Sequence, residues 1–437
     1  MRTPALQEDP RYSYSSAQQS LQHESDHNES DHNRIIFGDN LAVLHALLPE
    51  FTESVKCVYI DPPYTTAYSW TESATDLGPT GWLDFMRPRL SLLRALLRDD
   101  GLLAVQIDDN EFARLYLLLA ELFEERNLKV VCVKMAEPTG LKMASALKYG
   151  GLPKLKEYII LAGKSGVRGL HIERVRKGGW DREYNLFVSQ VSYGDVRRLK
   201  AIIAKPDRSP ADLEQADAIC ARFRFEPMDS AYRREAPSRL GQQDWRYRNA
   251  WRIVRSCATS PTAKRLADAR RTSLDAACGA FTVETPQRKL YLIKADYNPA
   301  SAQPRMRLLF ADDYLSVHPG DFWSDIKTTG LGDEGGVDFL NGKKPEALLK
   351  RIIGMATNPG DWVLDAFGGS GTTGAVAHKM GRRWLLIENG PQCHSHLLPR
   401  LRRVIDGTDQ TGVSKAVHWR GGGGFRYFRL NPNLEHA

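Results

Sequence analysis

What most constrains this chain is an alternation of short apolar strands and amphipathic helices that runs at both ends and lapses in the middle. From Arg34, "RIIFGD" and "VKCVYID" read as short buried strands with the helical "NLAVLHALLPE" between them. The helical segment "GWLDFMRPRLSLLRALLRDD" leads through Gly101 into the strand "LLAVQID" and the helix "EFARLYLLLAELFEE". Alternation of this kind predicts an α/β fold, a doubly wound and mostly parallel sheet. From about residue 165 to 310 the rhythm gives way to arginine and Pro/Ser/Asp punctuation. It resumes with the helix "PEALLKRIIGMAT", the strand "DWVLDAF", a glycine loop, the helix "TTGAVAHKM" and the strand "RWLLIE". One α/β domain is therefore expected from residues 34–165 and 311–437, with residues 166–310 inserted as a domain of their own. The closing "RGGGGFRYFRL" predicts a glycine joint followed by a last strand.

Residues 1–33 are polar, repeat "ESDHN", and show no hydrophobic period, so a mobile arm is expected there. Its histidines, His23, His27 and His32, fit a solvated tail better than a metal site. With 437 residues, 42% of them hydrophobic, the chain has enough apolar material for a sizeable core. No run approaches a membrane span and no signal peptide is visible, so a cytoplasmic protein is expected. Six cysteines without a CxxC pair argue for reduced thiols and against structural zinc, and no other cluster has metal-ligand spacing. The net charge of +7 makes a polyanionic partner worth considering.

Two segments carry chemistry. In "VLDAFGGSGTTG", Gly369, Gly371 and Gly374 form GxGxxG between a strand and a helix, where backbone amides approach a ligand closely. Ala375 stands where a phosphate-binding P-loop demands lysine. A nicotinamide oxidoreductase stays open at this point, with Glu388 on the next strand as ribose ligand, as does a plain tight turn. Asp365, just before the loop, suits a cationic ligand better than a pyrophosphate.

The second segment is Asp61-Pro62-Pro63-Tyr64, directly after a strand. An amino group on a nucleobase is a poor nucleophile because its lone pair is delocalised into the ring. Two acceptors gripping both amino hydrogens push the nitrogen toward a tetrahedral, attacking form. A carboxylate and a backbone carbonyl stiffened by proline supply them. Tyr64 would then stack on a base flipped out of the duplex. A plain proline turn after a buried strand is the bland alternative.

The tetrapeptide together with "DAFGGSGTTG" resembles the amino-group DNA methyltransferases that use S-adenosylmethionine, and the order of the two segments resembles the circularly permuted β group. "FGDNLAVLHAL", "KEYIILAGK", "DFWSDI" and "KKPEALLKRII" are similar to the modification subunits of Type III restriction systems. The resemblance implies a Rossmann-like methyltransferase fold, permuted, with residues 34–165 as its catalytic half, 166–310 as an inserted target-recognition domain and 311–437 as its cofactor half. It implies that Asp61, Pro62, Pro63 and Tyr64 act on the base. It implies a cofactor pocket drawn from Asp39, Lys344, Pro345, Asp365, Phe367, Gly369, Gly371, Thr372 and Glu388. Helix capping is an equal reading for Asp39, and Asp108 and Asp109 read as caps of the helix that follows them.

From Tyr232 to Arg271 there are eleven Lys/Arg against three acids, a surplus larger than that of the whole chain. Placed on a helix, "RYRNAWRIVR" sets Tyr247, Ala250, Trp251 and Val254 on one stripe and Arg248, Arg252 and Arg255 on another. These arginines, with Arg246, Lys264 and Arg265, are the expected phosphate contacts. The expected activity is methyl transfer from S-adenosylmethionine to adenine N6 in double-stranded DNA. Cytosine N4 is the nearest alternative, and a catalytically silent DNA-binding subunit a more distant one. A homodimer and a separate restriction subunit are the expected protein partners.

Overall fold

The structure is a computed structural model describing residues 5–16, 33–63, 78–137, 148, 150–236, 241–328, 331–339 and 342–431. The chain divides into one unit of residues 1–173 and 319–437 and a second of residues 174–318.

In the first unit the sheet order is Leu6–Glu8, Gly424–Leu430, Asn33–Phe37, Arg383–Glu388, Trp362–Asp365, Val55–Ile60, Leu97–Ile107, Lys156–Gly163, Leu128–Lys134, Phe322–Trp323. From Gly424–Leu430 to Leu97–Ile107 the pairing is parallel throughout, and Lys156–Gly163 enters antiparallel to both of its neighbours. Alternate residues feed opposite faces, as the pleat requires. Val58 and Ile60 pack with the helices Asn40–Phe51, Gly78–Leu96 and Phe112–Phe123, while Cys57 and Tyr59 pack with Glu346–Ala356 and Leu398–Ile405. Strands buried on both faces explain the unbroken apolar runs in the sequence.

The strands Trp362–Asp365 and Val55–Ile60 are neighbours in space although the inserted unit separates them in sequence. The helix after Val55–Ile60 packs on one face and the helix after Trp362–Asp365 on the other. Their carboxyl ends therefore flank the point where the winding reverses, which is where open α/β sheets hold ligands.

Three expectations need correcting. Residues 5–16 do not behave as an arm: Leu6–Glu8 and Tyr14–Ser15 pair with Gly424–Leu430, and Asp9 is held by Arg11 and Arg429. Polar side chains hid these strands because the edge of a sheet faces water. Most of the remaining arm residues lie outside the described set. The helix expected through Asp100 stops at Leu96, and the next strand begins at once with Leu97. A Cβ on Gly101 would lie 2.9 Å from the Arg98 carbonyl and 3.1 Å from that of Val55, so a glycine is needed where this strand shifts register. The inserted unit runs from Arg174 to His318, not 166 to 310, because Ser316–Val317 pairs with Val175–Arg176.

The second unit is built on an antiparallel six-stranded sheet in the order Arg224–Pro227, Leu186–Ser189, Ile253–Cys257, Arg307–Phe310, Leu290–Lys294, Ala280–Glu284. Two of its helices, Tyr193–Ala204 and Pro210–Ala221, start with capping boxes at Ser192 and Ser209.

Candidate active site

Asp61 leaves the end of Val55–Ile60 with Oδ2 2.8 Å from Lys344 Nζ, and the same ammonium lies 3.5 Å from Glu157 Oε2. Glu157 in turn accepts from Gln106 Nε2 at 2.6 Å, and Gln106 Oε1 accepts from the Tyr59 hydroxyl at 2.6 Å. A chain of polar groups thus backs the carboxylate from three strands, with Gln106 and Tyr59 fully buried. Burial pulls the Lys344 ammonium down, yet the Asp61 and Glu157 carboxylates outweigh it and hold its pKa at about 12. A permanent cation beside Asp61 favours its charged, accepting form.

Pro62 and Pro63 fix the turn. The Pro63 carbonyl accepts from Trp82 Nε1 at 2.8 Å, so it is already committed to a buried indole. Tyr64 lies outside the described residues.

One strand away, the Trp362–Asp365 strand ends in the glycine loop. Asp365 is buried, with Oδ1 accepting from the Phe367 amide at 2.9 Å and Oδ2 from Thr373 Oγ1 at 2.5 Å. Burial pushes its pKa up to about 7, those hydrogen bonds oppose the rise, and the charges of Asp61 and Glu388 add to it. Glu388 ends the next strand with Oε1 accepting from Asn389 N, Gly390 N and Gln392 Nε2, and Oε2 from Gly369 N at 2.7 Å. Three donors saturate Oε1, so any ligand hydroxyl must be taken by Oε2. Burial raises the Glu388 carboxyl above the usual range against those donors.

The glycines have separate reasons. Gly371 takes φ +77° at the start of the helix Thr372–Lys379, and a Cβ there would meet Leu397 Cγ at 3.1 Å, inside the protein. A Cβ on Gly369 would make only ordinary contacts, 3.7 Å from the Phe367 carbonyl and 4.0 Å from the Phe339 ring, so what asks for glycine there is its φ of +49°. A glycine loop between two buried carboxylates fits an ammonium and a pair of hydroxyls. Those carboxylates would repel a pyrophosphate.

The remaining candidates divide. Phe367 is half-buried beside the loop, its ring 6.4 Å from that of Phe85. Pro345 is buried as the cap residue of the helix Glu346–Ala356 and orients Lys344 just before it. Thr372, expected to face the cofactor, turns inward: its Oγ1 accepts from Arg400 Nη1 at 2.7 Å. Asp39 is exposed and caps the helix Asn40–Phe51 through Ala42 N at 3.1 Å, with Arg89 3.2 Å from its other oxygen. The position beside the loop belongs to its neighbour Asn40, whose Nδ2 donates to the Ala366 carbonyl at 2.9 Å. Asp108 is no side-chain cap. Its Oδ1 accepts from Asn110 N and its Oδ2 pairs with Lys154, while Glu111 stands at the helix start. Glu157 and Thr373 lie in segments the sequence had singled out, and only the fold shows which of their residues point at the site. Among the described residues no His, Cys, Asp or Glu cluster could hold a metal ion, and no helix is long and apolar enough to cross a membrane.

In the second unit the proposed basic helix breaks up. Gln242–Arg248 is helical, Ala250–Arg252 is a 3-10 turn, and Ile253–Cys257 is a strand in the middle of the sheet. Trp245, Ile253 and Val254 are buried apolar anchors whose spacing suits that helix-to-strand change, and the helical stripe was an artefact of assuming one period throughout. Arg252 pairs with Glu235 at 2.8 Å and lies over the Phe187 ring, Arg255 pairs with Glu183, and Arg246 is 3.4 Å from Asp229. Lys264 pairs with Asp268 at 2.7 Å, while Arg248 and Arg265 are exposed.

Residues 55–397 match the model of a family described as DNA methylase. A Haemophilus influenzae protein named "Probable type III restriction-modification enzyme HindVI Mod subunit" is 33% identical over 428 residues, covering 93% of this chain and 55% of that protein. The DNA adenine methyltransferase YhdJ of Escherichia coli is 51% identical over 70 residues, 16% of this chain and 23% of that one. The solved PvuII cytosine-N4-specific DNA methyltransferase aligns with 88% of this chain and 90% of its own at TM-score 0.39 and 14% identity, too loosely to argue from. The chain spans about half the length of the curated relatives it matches first. With the family model covering most of its length, this chain belongs to the DNA methylase family.

Proposed function

We propose that this chain transfers a methyl group from S-adenosylmethionine to the N6 amino group of an adenine flipped out of double-stranded DNA. The observation that carries this reading is the pairing of two adjacent strand ends. One presents a carboxylate and a stiff carbonyl, Asp61 and Pro62, and the next a glycine loop between two buried carboxylates, Asp365 and Glu388.

The cofactor, when bound, supplies an electrophilic methyl on a sulfonium. Everything else falls to this chain. Asp365 takes the cofactor's ammonium, Glu388 Oε2 takes a ribose hydroxyl, and the loop at Gly369 admits the methionine portion. Asp61, held by Lys344, offers its carboxylate to one amino hydrogen of the base, and the Pro62 carbonyl accepts the other. Both acceptors draw the nitrogen lone pair out of the ring and aim it across to the neighbouring strand end. Tyr64 stacks on the extruded base, offsetting part of the unstacking cost of a few kcal/mol.

Adenine is favoured over cytosine by the aspartate at the first position of the tetrapeptide, in keeping with a relative named as an adenine methyltransferase. In this reading duplex DNA is reached through the second unit, with phosphate met by Arg248 and Arg265, the two exposed members of its six candidate cations. A second copy of the chain and a separate restriction subunit are the protein partners this reading carries, the latter because a relative's name makes it one subunit of a restriction-modification enzyme.

Modified-base sequencing of DNA from a host expressing this chain reports base, position and target together, and N6-methyladenine at a defined motif is expected. Asp61→Ala should abolish the mark while cofactor binding persists. Transfer within about tenfold of the unaltered chain, or ~1.4 kcal/mol, would remove Asp61 from the chemistry.

A further inference from the structure

Behind the glycine loop lies a closed group of four charged side chains. Lys379 and Arg400 have fully buried side chains, as does Glu346, and Asp409 is nearly so. Lys379 Nζ is 2.9 Å from both Glu346 oxygens and 2.7 Å from Asp409 Oδ2. Arg400 Nη2 donates to Glu346 Oε1 at 2.9 Å. Its Nη1 donates to Thr372 Oγ1 at 2.7 Å and lies 3.4 Å from Ser370 Oγ. Gly335, at φ +73°, passes so close that a Cβ there would clash with the guanidinium, and the chain leaves just enough room for it.

Ion groups taken out of water this completely are not needed for stability, since apolar residues of equal volume serve as well or better. What apolar residues could not do is hold Ser370 and Thr372, which flank Gly371 at the turn from loop to helix. Nor could they fix Glu346, which lies two residues after Lys344 and opens its helix. One guanidinium therefore grips the cofactor loop on one side and, on the other, the segment whose lysine holds Asp61. The Lys379 ammonium and both terminal nitrogens of Arg400 are paired, while Arg400 Nε is buried without a hydrogen-bond partner, so the network fixes its geometry through those terminal nitrogens and costs stability at Nε.

We propose that Arg400 is a positioning residue that locks the cofactor loop and the Asp61–Lys344 pair into a single arrangement. This rests on the methyltransferase reading above. Arg400 touches neither base nor cofactor, and acts through Thr372 and Glu346.

The test uses the full chain, calorimetry with S-adenosylmethionine, and labelled methyl incorporation into unmethylated genomic DNA. Wild type is measured first: absent binding and absent transfer there would sink the methyltransferase reading before any variant is made. Given an active wild type, Arg400→Lys and Thr372→Val should each raise the KM for S-adenosylmethionine about tenfold, the worth of one charge-assisted hydrogen bond, and lower kcat as well. Combining Thr372→Val with Arg400→Met should cost little more than Arg400→Met alone, since both remove the same contact. Asp409→Asn loosens the far end of the network and should lower the melting temperature while KM stays within about twofold. If Arg400→Met does not fold, Arg400→Lys and Thr372→Val decide the matter. Lowered melting temperatures with unchanged KM and kcat in those two would reduce Arg400 to a structural ion and overturn the proposal.

Discussion

Cofactor affinity should depend on pH through Asp365. Burial pushes this carboxyl up to about 7, so near neutrality the empty loop holds it protonated about half the time. Pairing with the cofactor's ammonium requires the charged form, and below pH 7 each binding event must first release a proton. The apparent dissociation constant then scales as one plus the ratio of protonated to ionised Asp365. Between pH 8 and pH 6 that factor grows about tenfold, or ~1.4 kcal/mol. Calorimetric titration in buffers of different ionisation enthalpy reads both the affinity and the proton exchanged: about one released per site near pH 6, turning to net uptake near pH 8, where the cofactor's own amino group starts to lose its proton. Glu388 is also raised by burial and could contribute, so Asp365→Asn is the control. That variant should bind weakly at every pH and with little slope. A wild-type affinity flat from pH 6 to 8, with no dependence on buffer, would refute the assignment of Asp365 to the ammonium. The sign for folding is the opposite. A carboxyl whose folded pKa lies above its unfolded value stabilises fully only below the unfolded pKa, so the cofactor-free protein should lose stability from about pH 4 to pH 7.

Other outcomes follow from single contacts. Lys344→Met leaves Asp61 and Glu157 without their shared cation, and should cut the transfer rate at least about tenfold with cofactor affinity nearly unchanged; a matching loss of affinity by calorimetry would put Lys344 in the cofactor pocket instead. Gly371→Val forces a branched side chain into a left-handed turn against Leu397, and should cost about 1–3 kcal/mol in melting experiments as well as cofactor binding. Gly369→Ala meets only ordinary contacts but must adopt φ +49°, and should weaken cofactor binding while costing about 1 kcal/mol in melting experiments. Replacing Arg248 and Arg265 by glutamine should flatten the slope of log DNA affinity against log salt by about 1.8. The same change at Arg252 and Arg255, which are tied to Glu235 and Glu183, should lower thermal stability more than the slope, and the reverse pattern would exchange their roles.

How much of this was legible in the sequence depended on whether one period held throughout a segment. The central strands are apolar on both faces, so "VKCVYI" and "WLLIE" announced themselves, and the glycine loop between strand and helix did too. Leu6–Glu8 was hidden because an edge strand can be polar, and "RYRNAWRIVR" was misread because its apolar residues serve a helix first and a strand afterwards. The cationic surplus of that segment is real, but the sequence could not show that acids from outside it take up two of its arginines: Glu183, before the first long helix of the unit, pairs with Arg255, and Asp229, in the helix Met228–Glu235, with Arg246.

The site shows the same division more sharply. Asp61, Asp365 and Glu388 were legible because each terminates a strand, and in a parallel sheet strand ends converge whatever the chain does between them. Their supports were not. Glu157 lies at the start of a strand that runs antiparallel to its neighbours, so its first residues, and not its last, reach the site. A search for carboxylates after strands passes over it. Lys344 was visible as a residue near the pocket, but whether it serves the cofactor or the base depends on a helix start fixed by Glu346, whose partners Lys379 and Arg400 lie far along the chain, as does Asp409, which holds Lys379 in turn. Local rules of pattern and spacing find the carboxylates that strand ends bring together. How the Asp61 carboxylate is held is decided by these long-range pairs.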